Sequence, residues 1–597
     1  MTEPSVWAPN ARERVDLVVG DERSPMTSGE RGWWQATRDL SAGTDYAFSL
    51  DGGPARPDPR ARRMRHGVHG ASTWFDPQQL VWADDDWGGV ELAGGLVYEL
   101  HVGTFTAEGT LDSAITRLDH LVRLGVTLVE LMPLAAFPGQ WGWGYDGVDL
   151  YAVHEAYGGP EALHRFVQAC HVKGLGVCLD VVYNHLGPSG NYLSDFGPYF
   201  TDTYTTPWGD AVNLDGPGSD EVRAFIIDNA TQWLRDFHLD ALRLDAVHAL
   251  HDDDRALPLL EELSATVDRL AQEVGRPLWL IAESDRNDPC TVLPRARVGH
   301  LGGGVGVHAQ WCDDVHHALH VALTGETAGY YSDFAVPGAL EKVLTTPFFH
   351  DGTWSSFRGR THGRPVDRAR QPGWRFVASL QTHDQVGNRA AGERLSQLVD
   401  VGTLACGAAL LLTGPYTPML FMGEEWGAST PWQFFTDHQE PELVEAIRKG
   451  RQSEFASHGW AGAVPDPQSP DTVAASTLDW DEVAEGDHAR LLQWYADLAR
   501  CRRTRADLRD ARLDRIVVHR DQTAQTVVVE RGVHRVLVNL SDQQRRLDPW
   551  LGGDDGSDGS TGAVVIVVWD QETRRDATGA VTLPPRSACI LGPPAAG

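Results

Sequence analysis

GVCLDVVYNH, residues 176–185, opens as an apolar, β-branched run and turns polar as the run ends. Such a run reads as a strand buried on both faces, as in a parallel sheet covered by helices. Three further segments share this form: RLDAVH at 243–248, LIAES at 280–284 and QTHDQVGN at 381–388. Their polar ends carry Asp245, Glu283 and Asp384. If these strands close into one parallel barrel, all three carboxyls emerge on the carboxyl-terminal rim, where such barrels place their reactive groups.

The intervening sequence alternates as a barrel requires. LVYELHVGTF (96–105) and TLVELMPL (127–134) read as strands, and TLDSAITRLDHLVRLG (110–125) as one helix stopped by Gly125. GPEALHRFVQACHVKG (159–174), SDEVRAFIIDNATQWLRDFH (219–238), DDVHHALHVALTG (313–325) and stretches near 256–274 and 398–413 read as helices. GVHAQW (306–311), FVASLQTHD (376–384) and TPMLFMGEE (417–425) read as the remaining strands, before a last helix over 486–503. Eight β/α units predict an α/β fold, a (β/α)8 TIM barrel over residues 89–513. A Gly-, Pro-, Tyr- and Asp-rich insertion at 186–218 interrupts it, and long irregular loops of this kind are usually functional.

Both ends change character. Residues 1–88 hold short alternating strands separated by Gly, Pro and Asp turns, which predicts an N-terminal β-sandwich of the carbohydrate-module type. Residues 514–597 return to short strands and predict a C-terminal β-sandwich, with GGDDGSDGSTG (552–562) as a mobile loop.

Composition narrows the functional class. A formal net charge of −32 opposes phosphate backbones and anionic membrane surfaces, which disfavours nucleic acid and membrane partners and suits a neutral substrate. No apolar run approaches the roughly 18 residues that span a bilayer, and the start shows no basic-then-apolar leader. Seven cysteines without metal spacing read as free thiols in a reducing compartment, so a cytoplasmic location is expected.

Paired carboxyls on one rim suit glycoside cleavage, in which one attacks the anomeric carbon and the other protonates the leaving oxygen. Asp245 follows Arg243 by two residues, so both point to one side of the strand, and the cation is expected to keep the aspartate ionised. Glu283 closes the apolar run LWLIA, where its neutral form is expected. For a retaining reaction these two carboxyls should stand roughly 5–5.5 Å apart. Asp384 beside His383 is placed to bond sugar hydroxyls. Trp141, Trp143, Tyr145, Tyr192, Trp208 and Trp311 offer apolar faces for sugar rings.

DVVYNH, RLDAV, the glutamate of LIAES and the His-Asp pair of QTHDQ together resemble the four signature regions of the α-amylase superfamily, glycoside hydrolase family 13. The resemblance implies Asp245 as nucleophile, Glu283 as acid/base and Asp384 as transition-state stabiliser. It implies His185, Arg243 and His383 as sugar contacts at the cleavage point, and Tyr145 of WGYDG as the stacking aromatic. The strings WGYDGVDLYAVHEAYGG, RLDAVHAL, ESDRNDP, QWCDDVHHALH, THDQVGNRAAGERL and FMGEEWGASTPWQFFTDH more narrowly resemble the maltooligosyltrehalose trehalohydrolases. That family cleaves the α-1,4 bond next to the terminal trehalose of maltooligosyl trehalose, downstream of a synthase that makes this oligosaccharide. Further contacts implied by motif are His248, the segment 308–313 with His308, Gln310, Trp311 and Asp313, and Gln385 and Asn388.

No cofactor or metal is expected. Asn184 matches a calcium-binding position of many α-amylases, but no cluster of oxygen ligands surrounds it in the sequence. His316, His317 and His320 read as the polar face of a helix, and Glu424 and Glu425 as structural ion-pair partners. The rival readings are a branching or debranching enzyme or an α-amylase-type hydrolase of the same superfamily, and a non-catalytic glucan-binding protein. The last has no need of a charged nucleophile.

Overall fold

Eight parallel strands close on themselves in the computed structural model, which describes residues 3–295, 303–457, 464–549 and 563–594. They are β1 (Val97–Leu100), β2 (Leu128–Leu131), β3 (Gly176–Val181), β4 (Ala241–Leu244), β5 (Trp279–Ala282), β6 (Ala309–Trp311), β7 (Phe376–Ser379) and β8 (Thr417–Phe421). The ring closes where Met419–Phe421 pair with Val97–Glu99. The (β/α)8 barrel expected from the alternation is therefore the fold. The GGDDGSDGSTG segment, read as a mobile loop, lies outside the described residues.

Strand alternation sorts the barrel into layers, because successive side chains point to opposite faces. Val97, Leu128, Cys178, Ala241, Ile281, Ala309, Val377 and Met419 form one apolar cluster that fills the interior. Their neighbours Tyr98, Val129, Leu179, Leu242, Leu280 and Phe376 belong to the core outside the barrel, under the helices. Two residues further along, the interior becomes charged: Glu99, Glu130, Asp180 and Arg243 are all buried. An apolar plug below and a charged layer above set the place of the site.

Local sequence explains the helices. Thr110 caps the first of them by accepting the Ser113 N–H at 3.1 Å. The 110–125 stretch is two helices, Leu111–Ile115 and Leu118–Leu124, and not the single one expected. Gly125 ends the second at φ 98°, a backbone that glycine adopts without penalty. Helix Ser219–Thr231 runs on into a π-helical turn, Gln232–Asp236.

Sheet regions flank the barrel. Residues 5–73 form a three-stranded and a five-stranded sheet. Residues 516–592 form a five-stranded and a three-stranded sheet, and Val528, Leu537, Leu547, Val581, Leu583 and Leu591 from both join in one apolar cluster. Among the described residues no helix is long and apolar enough to cross a membrane.

The connection from the N-terminal sheets is clamped beneath the barrel. Asp240, fully buried at the start of β4, accepts from Arg276 Nη1, Trp87 Nε1 and the Val177 N–H, each at 2.8 Å. His171 bridges Asp240 at 3.1 Å and Asp84 of the connection at 2.7 Å, and its ring stacks on Trp87. Removing one member of a buried ionic network leaves the others uncompensated, at a cost of about 3–5 kcal/mol. Asp240→Ala is expected to lose about that much in urea unfolding, and a loss below about 1 kcal/mol would show that the clamp carries no weight.

Candidate active site

The chain leaves β4 at Asp245, whose N–H still bonds the Val181 carbonyl at 3.1 Å, so the residue sits on the rim as an extension of the strand. Ala246 then turns through φ 38°, ψ 51°, a left-handed conformation rare for a residue with a Cβ. That turn aims the Ala246 N–H at Glu283 Oε2, 2.7 Å away. Glu283 itself extends β5, with its N–H on the Leu244 carbonyl.

One guanidinium joins these groups. Arg243, with no exposed surface, donates from Nη1 to Asp180 Oδ2 at 2.8 Å and Asp245 Oδ1 at 2.9 Å. Its Nη2 lies 3.0 Å from Glu283 Oε2. The same group lies over the Trp311 ring, 4.2 Å from its centroid. The Tyr145 hydroxyl is 2.7 Å from Asp180 Oδ2 and 2.8 Å from His383 Nε2, and its ring stacks on His383. Asp384 follows on the short helix His383–Gly387, where Thr382 accepts its N–H and Asn388 Nδ2 donates to its Oδ1 at 3.3 Å.

The protonation pattern reverses the sequence expectation. Burial and the neighbouring Glu283 charge push Asp245 well above the carboxylate range, against the pull of Arg243. Glu283 is also buried, yet Arg243 and the Ala246 N–H together hold its carboxyl down. Glu283 Oε2 accepts the Ala246 N–H and lies 3.0 Å from Arg243 Nη2, while Asp245 shares Arg243 Nη1 with Asp180, so the proton of the pair is drawn toward Asp245. Asp313, at the start of the next helix, is pushed up to about 7 by burial and by the Glu283 and Asp384 charges.

The structure brings together most of the expected residues: Asp245, Glu283, Asp384, Arg243, Tyr145, His383 and, close by, Asp313. His248 lies near enough to Glu283 to help hold it down, and accepts weakly from the Asp285 N–H at 3.4 Å. His185 donates from Nε2 to the Tyr145 carbonyl at 3.0 Å, and half-exposed Trp208 stacks flat over its ring at 4.3 Å. Trp208 therefore presents the aromatic surface there. Gln385 accepts from the Thr382 hydroxyl at 2.5 Å, tied into the cap of its own helix.

Two residues of the 308–313 segment, His308 and Gln310, are placed elsewhere. His308 precedes β6, at the opposite end of the barrel, where its Nδ1 accepts the Leu280 N–H and its Nε2 meets Asp268 of a surrounding helix. Gln310 alternates with the inward Ala309 and Trp311 and pairs with outward-facing Ala282 and Phe376, so it faces the helices. Trp311 is only 4% exposed and supports Arg243 from within the barrel. His308 and Gln310 do not face the cleft, whereas Trp311 packs beneath Arg243 and 6.0 Å from His383.

Other expectations shift as well. His316 and His320 are buried and packed on Tyr331, so they form no polar helix face. Glu425 does pair internally, with His120 at 2.7 Å and the Tyr98 hydroxyl at 3.1 Å. Trp143 is core, stacked on Trp432 at 4.5 Å. Both side-chain atoms of buried Asn184 lack hydrogen-bond partners. Among the described residues there is no group of three or more His, Cys, Asp or Glu that could hold a metal ion.

Sequence reasoning missed Glu99, Glu130 and Asp180, which form the charged layer beneath the rim. The signal was a glutamate or aspartate inside an otherwise apolar strand, two residues beyond an inward-facing one.

Known proteins align with this geometry along nearly the whole chain. The model of the alpha amylase catalytic domain matches residues 76–204. A malto-oligosyltrehalose trehalohydrolase of Arthrobacter ramosus is 59% identical over 541 residues, covering 90% of this chain and 92% of that protein. Another, from Rhizobium sp. (strain M-11), is 51% identical over 595 residues, 98% of this chain and 97% of its own. The chain belongs to the malto-oligosyltrehalose trehalohydrolase family. A crystal structure described as a putative alpha amylase from Salmonella typhimurium superposes with a TM-score of 0.87 at 35% identity, covering 99% of this chain and 97% of that one. The family is one of glycosidases within the alpha-amylase superfamily, so the chain is an enzyme and its cleft a glycosidase site.

Space at this site is tight. A Cβ on Gly387 would come within 2.1 Å of Trp143, whose Nε1 is anchored on the Gln433 carbonyl and whose ring is held by Trp432. Gly387→Ala is expected to cost about 1–3 kcal/mol by overpacking and to lower kcat by displacing the His383–Asp384 turn. Wild-type turnover and melting temperature in this variant would show that the turn has slack.

Proposed function

We propose that this enzyme releases trehalose from maltooligosyl trehalose by a retaining hydrolysis of the adjacent α-1,4 bond, with Asp245 as nucleophile, Glu283 as acid/base and Asp384 as stabiliser of the transition state. The observation that carries the chemistry is the convergence of Asp245 and Glu283 on the two terminal nitrogens of one buried arginine. The relatives named for trehalose release, 59% and 51% identical over nine-tenths or more of this chain, support the substrate.

Arg243 fixes Asp245 through Oδ1, which leaves Oδ2 to attack the anomeric carbon. Glu283 is fixed through Oε2, which leaves Oε1 to hand its proton to the departing glucosyl oxygen. The proton that rests on Asp245 in the free site passes to Glu283 as a sugar enters, excludes water and raises the cost of the glutamate charge. Attack then forms a maltooligosyl–Asp245 ester and breaks the bond to trehalose, whose O4 takes the Glu283 proton. Water, deprotonated by the now ionised Glu283, cleaves the ester and restores both carboxyls. The terminal trehalose has no reducing end, so the leaving group is recognised as a neutral disaccharide, in keeping with the absence of any need for a cationic pocket.

Incubation with maltotriosyl trehalose should yield trehalose and maltotriose, with the new reducing end first seen as the α-anomer by proton NMR. Equal rates on plain maltopentaose would overturn the substrate assignment, and a first-formed β-anomer would overturn retention. Asp245→Ala and Glu283→Gln should each lower kcat by at least about a thousandfold with the melting profile kept. A branching activity would instead appear as new α-1,6 linkages from amylose.

A further inference from the structure

Two glutamates stand side by side inside the barrel, one layer beneath the rim, and only one of them is bonded. Glu99 on β1 and Glu130 on β2 are register partners, each 1% exposed. Glu99 grips His383 twice, with Oε1 at 2.5 Å from ring Nδ1 and Oε2 accepting the His383 backbone N–H at 3.1 Å. Both carboxyl oxygens of Glu130 lack a hydrogen-bond partner.

The proton count around His383 follows from this arrangement. Its Nε2 meets the Tyr145 hydroxyl, which also meets Asp180 Oδ2. A phenol has one proton, and a carboxylate can only accept, so that proton goes to Asp180. Nε2 must then donate to the phenol oxygen. Nδ1, facing the Glu99 carboxylate, must donate as well, and His383 carries protons on both nitrogens.

We propose that Glu99 is a positioning residue that holds His383 as a fixed imidazolium beside Asp384, and that this buried cation keeps the acidic rim ionised for catalysis. Glu99 touches no substrate and acts through His383. The inference rests on the catalytic roles proposed above for Asp245 and Asp384.

The charges around His383 are mixed. It faces Glu99 and His101 from β1 and its end, Glu130 from β2, Asp180 from β3, Arg243 from β4 and Glu283 from β5, with Asp384 adjoining. Burial, Arg243 and His101 oppose a second cation. Glu99 and Asp384 outweigh them and raise His383 to about 9. In return, burial pushes Asp384 up and His383 is the leading group that pulls it down. Burial and Glu99 leave Glu130 neutral, far above the usual glutamate range.

The sign is fixed by these directions. A histidine raised in the folded state is charged, and stabilises the fold, below its unfolded pKa, and loses that contribution as pH rises through about 9. Without the Glu99 charge, His383 deprotonates at lower pH, and once the ring is neutral Asp384 loses the leading group that pulls it down. The alkaline limb of the activity profile must move to lower pH.

The test uses the full-length enzyme. Glu99→Gln should lower kcat at least about tenfold with KM nearly unchanged, and bring the alkaline limb of the kcat/KM profile down by about one pH unit or more. Glu130→Gln should leave the profile unaltered, because one neutral side chain replaces another. The double variant Glu99→Gln, His383→Gln should be no slower than His383→Gln alone, since Glu99 acts through the ring. Multiplicative losses, or a wild-type profile in Glu99→Gln, would overturn the proposal. Nitrogen-15 NMR of wild-type His383 needs neither variant nor substrate: both ring nitrogens should remain protonated at pH 7, and a neutral ring would overturn the inference. Absence of trehalose release by the wild type, with an imidazolium present, would instead remove the proposed function and leave this charge pair standing.

Discussion

The Arg243 guanidinium is the contact on which the upper barrel depends. It has no exposure to water, and its two terminal nitrogens reach carboxyls from β3, from the end of β4 and from the end of β5. Burying a cation costs several kcal/mol unless its partners and geometry compensate. Here the partners are the groups that the reaction needs, and Trp311 beneath adds the negative face of its ring at 4.2 Å. Removing the arginine would leave three buried carboxyls facing one another, a charge arrangement that no rearrangement of side chains could satisfy. The site and the stability of this layer are therefore one problem.

The rim was legible in the sequence because it lies at strand ends. Asp245, Glu283 and Asp384 each follow an apolar run, and a change from apolar to charged is visible in one chain. The layer beneath was not, because Glu99 and Glu130 interrupt runs that otherwise read as plain buried strands. Alternation alone would have turned both inward, two residues after Val97 and Leu128. The same rule corrects the 308–313 segment. Carried over as a block, it placed His308 and Gln310 at the sugar along with Trp311 and Asp313. Taken residue by residue, β6 can point only every second side chain inward, and only its carboxyl-terminal end reaches the rim. The periodicity of 110–125 failed differently: both halves are helical, but Arg117 breaks the path between them.

The protonation of the pair was illegible for a further reason. Sequence proximity put Arg243 with Asp245, two residues apart on one strand. The fold adds a second claimant from β5 and gives it an extra donor through the strained turn at Ala246. A conformation costing about 1–2 kcal/mol is kept at the one residue whose N–H fixes Glu283, the proposed acid/base group. Such strain can persist because β4 and β5 hold the chain on both sides, with Asp245 on Val181 and Glu283 on Leu244.

The layering also explains why so many charges can be enclosed. Below them, an apolar plug of eight strand residues excludes water from the barrel's lower half. With water excluded, every charge must be answered by another or removed by a proton. Arg243 and an imidazolium at His383 supply two cations. Glu99, Asp180, Glu283 and Asp384 face them, and burial pushes Asp180 and Asp384, and more strongly Glu130 and Asp245, toward their neutral forms. A sugar entering the rim displaces the remaining water and disturbs this balance at its least constrained point, the proton shared by Asp245 and Glu283. The groups below, with Glu99 bonded twice to His383 and Asp180 to Arg243 and Tyr145, stay as they are. Catalysis then needs only that one proton to move, because the fold has already fixed the rest.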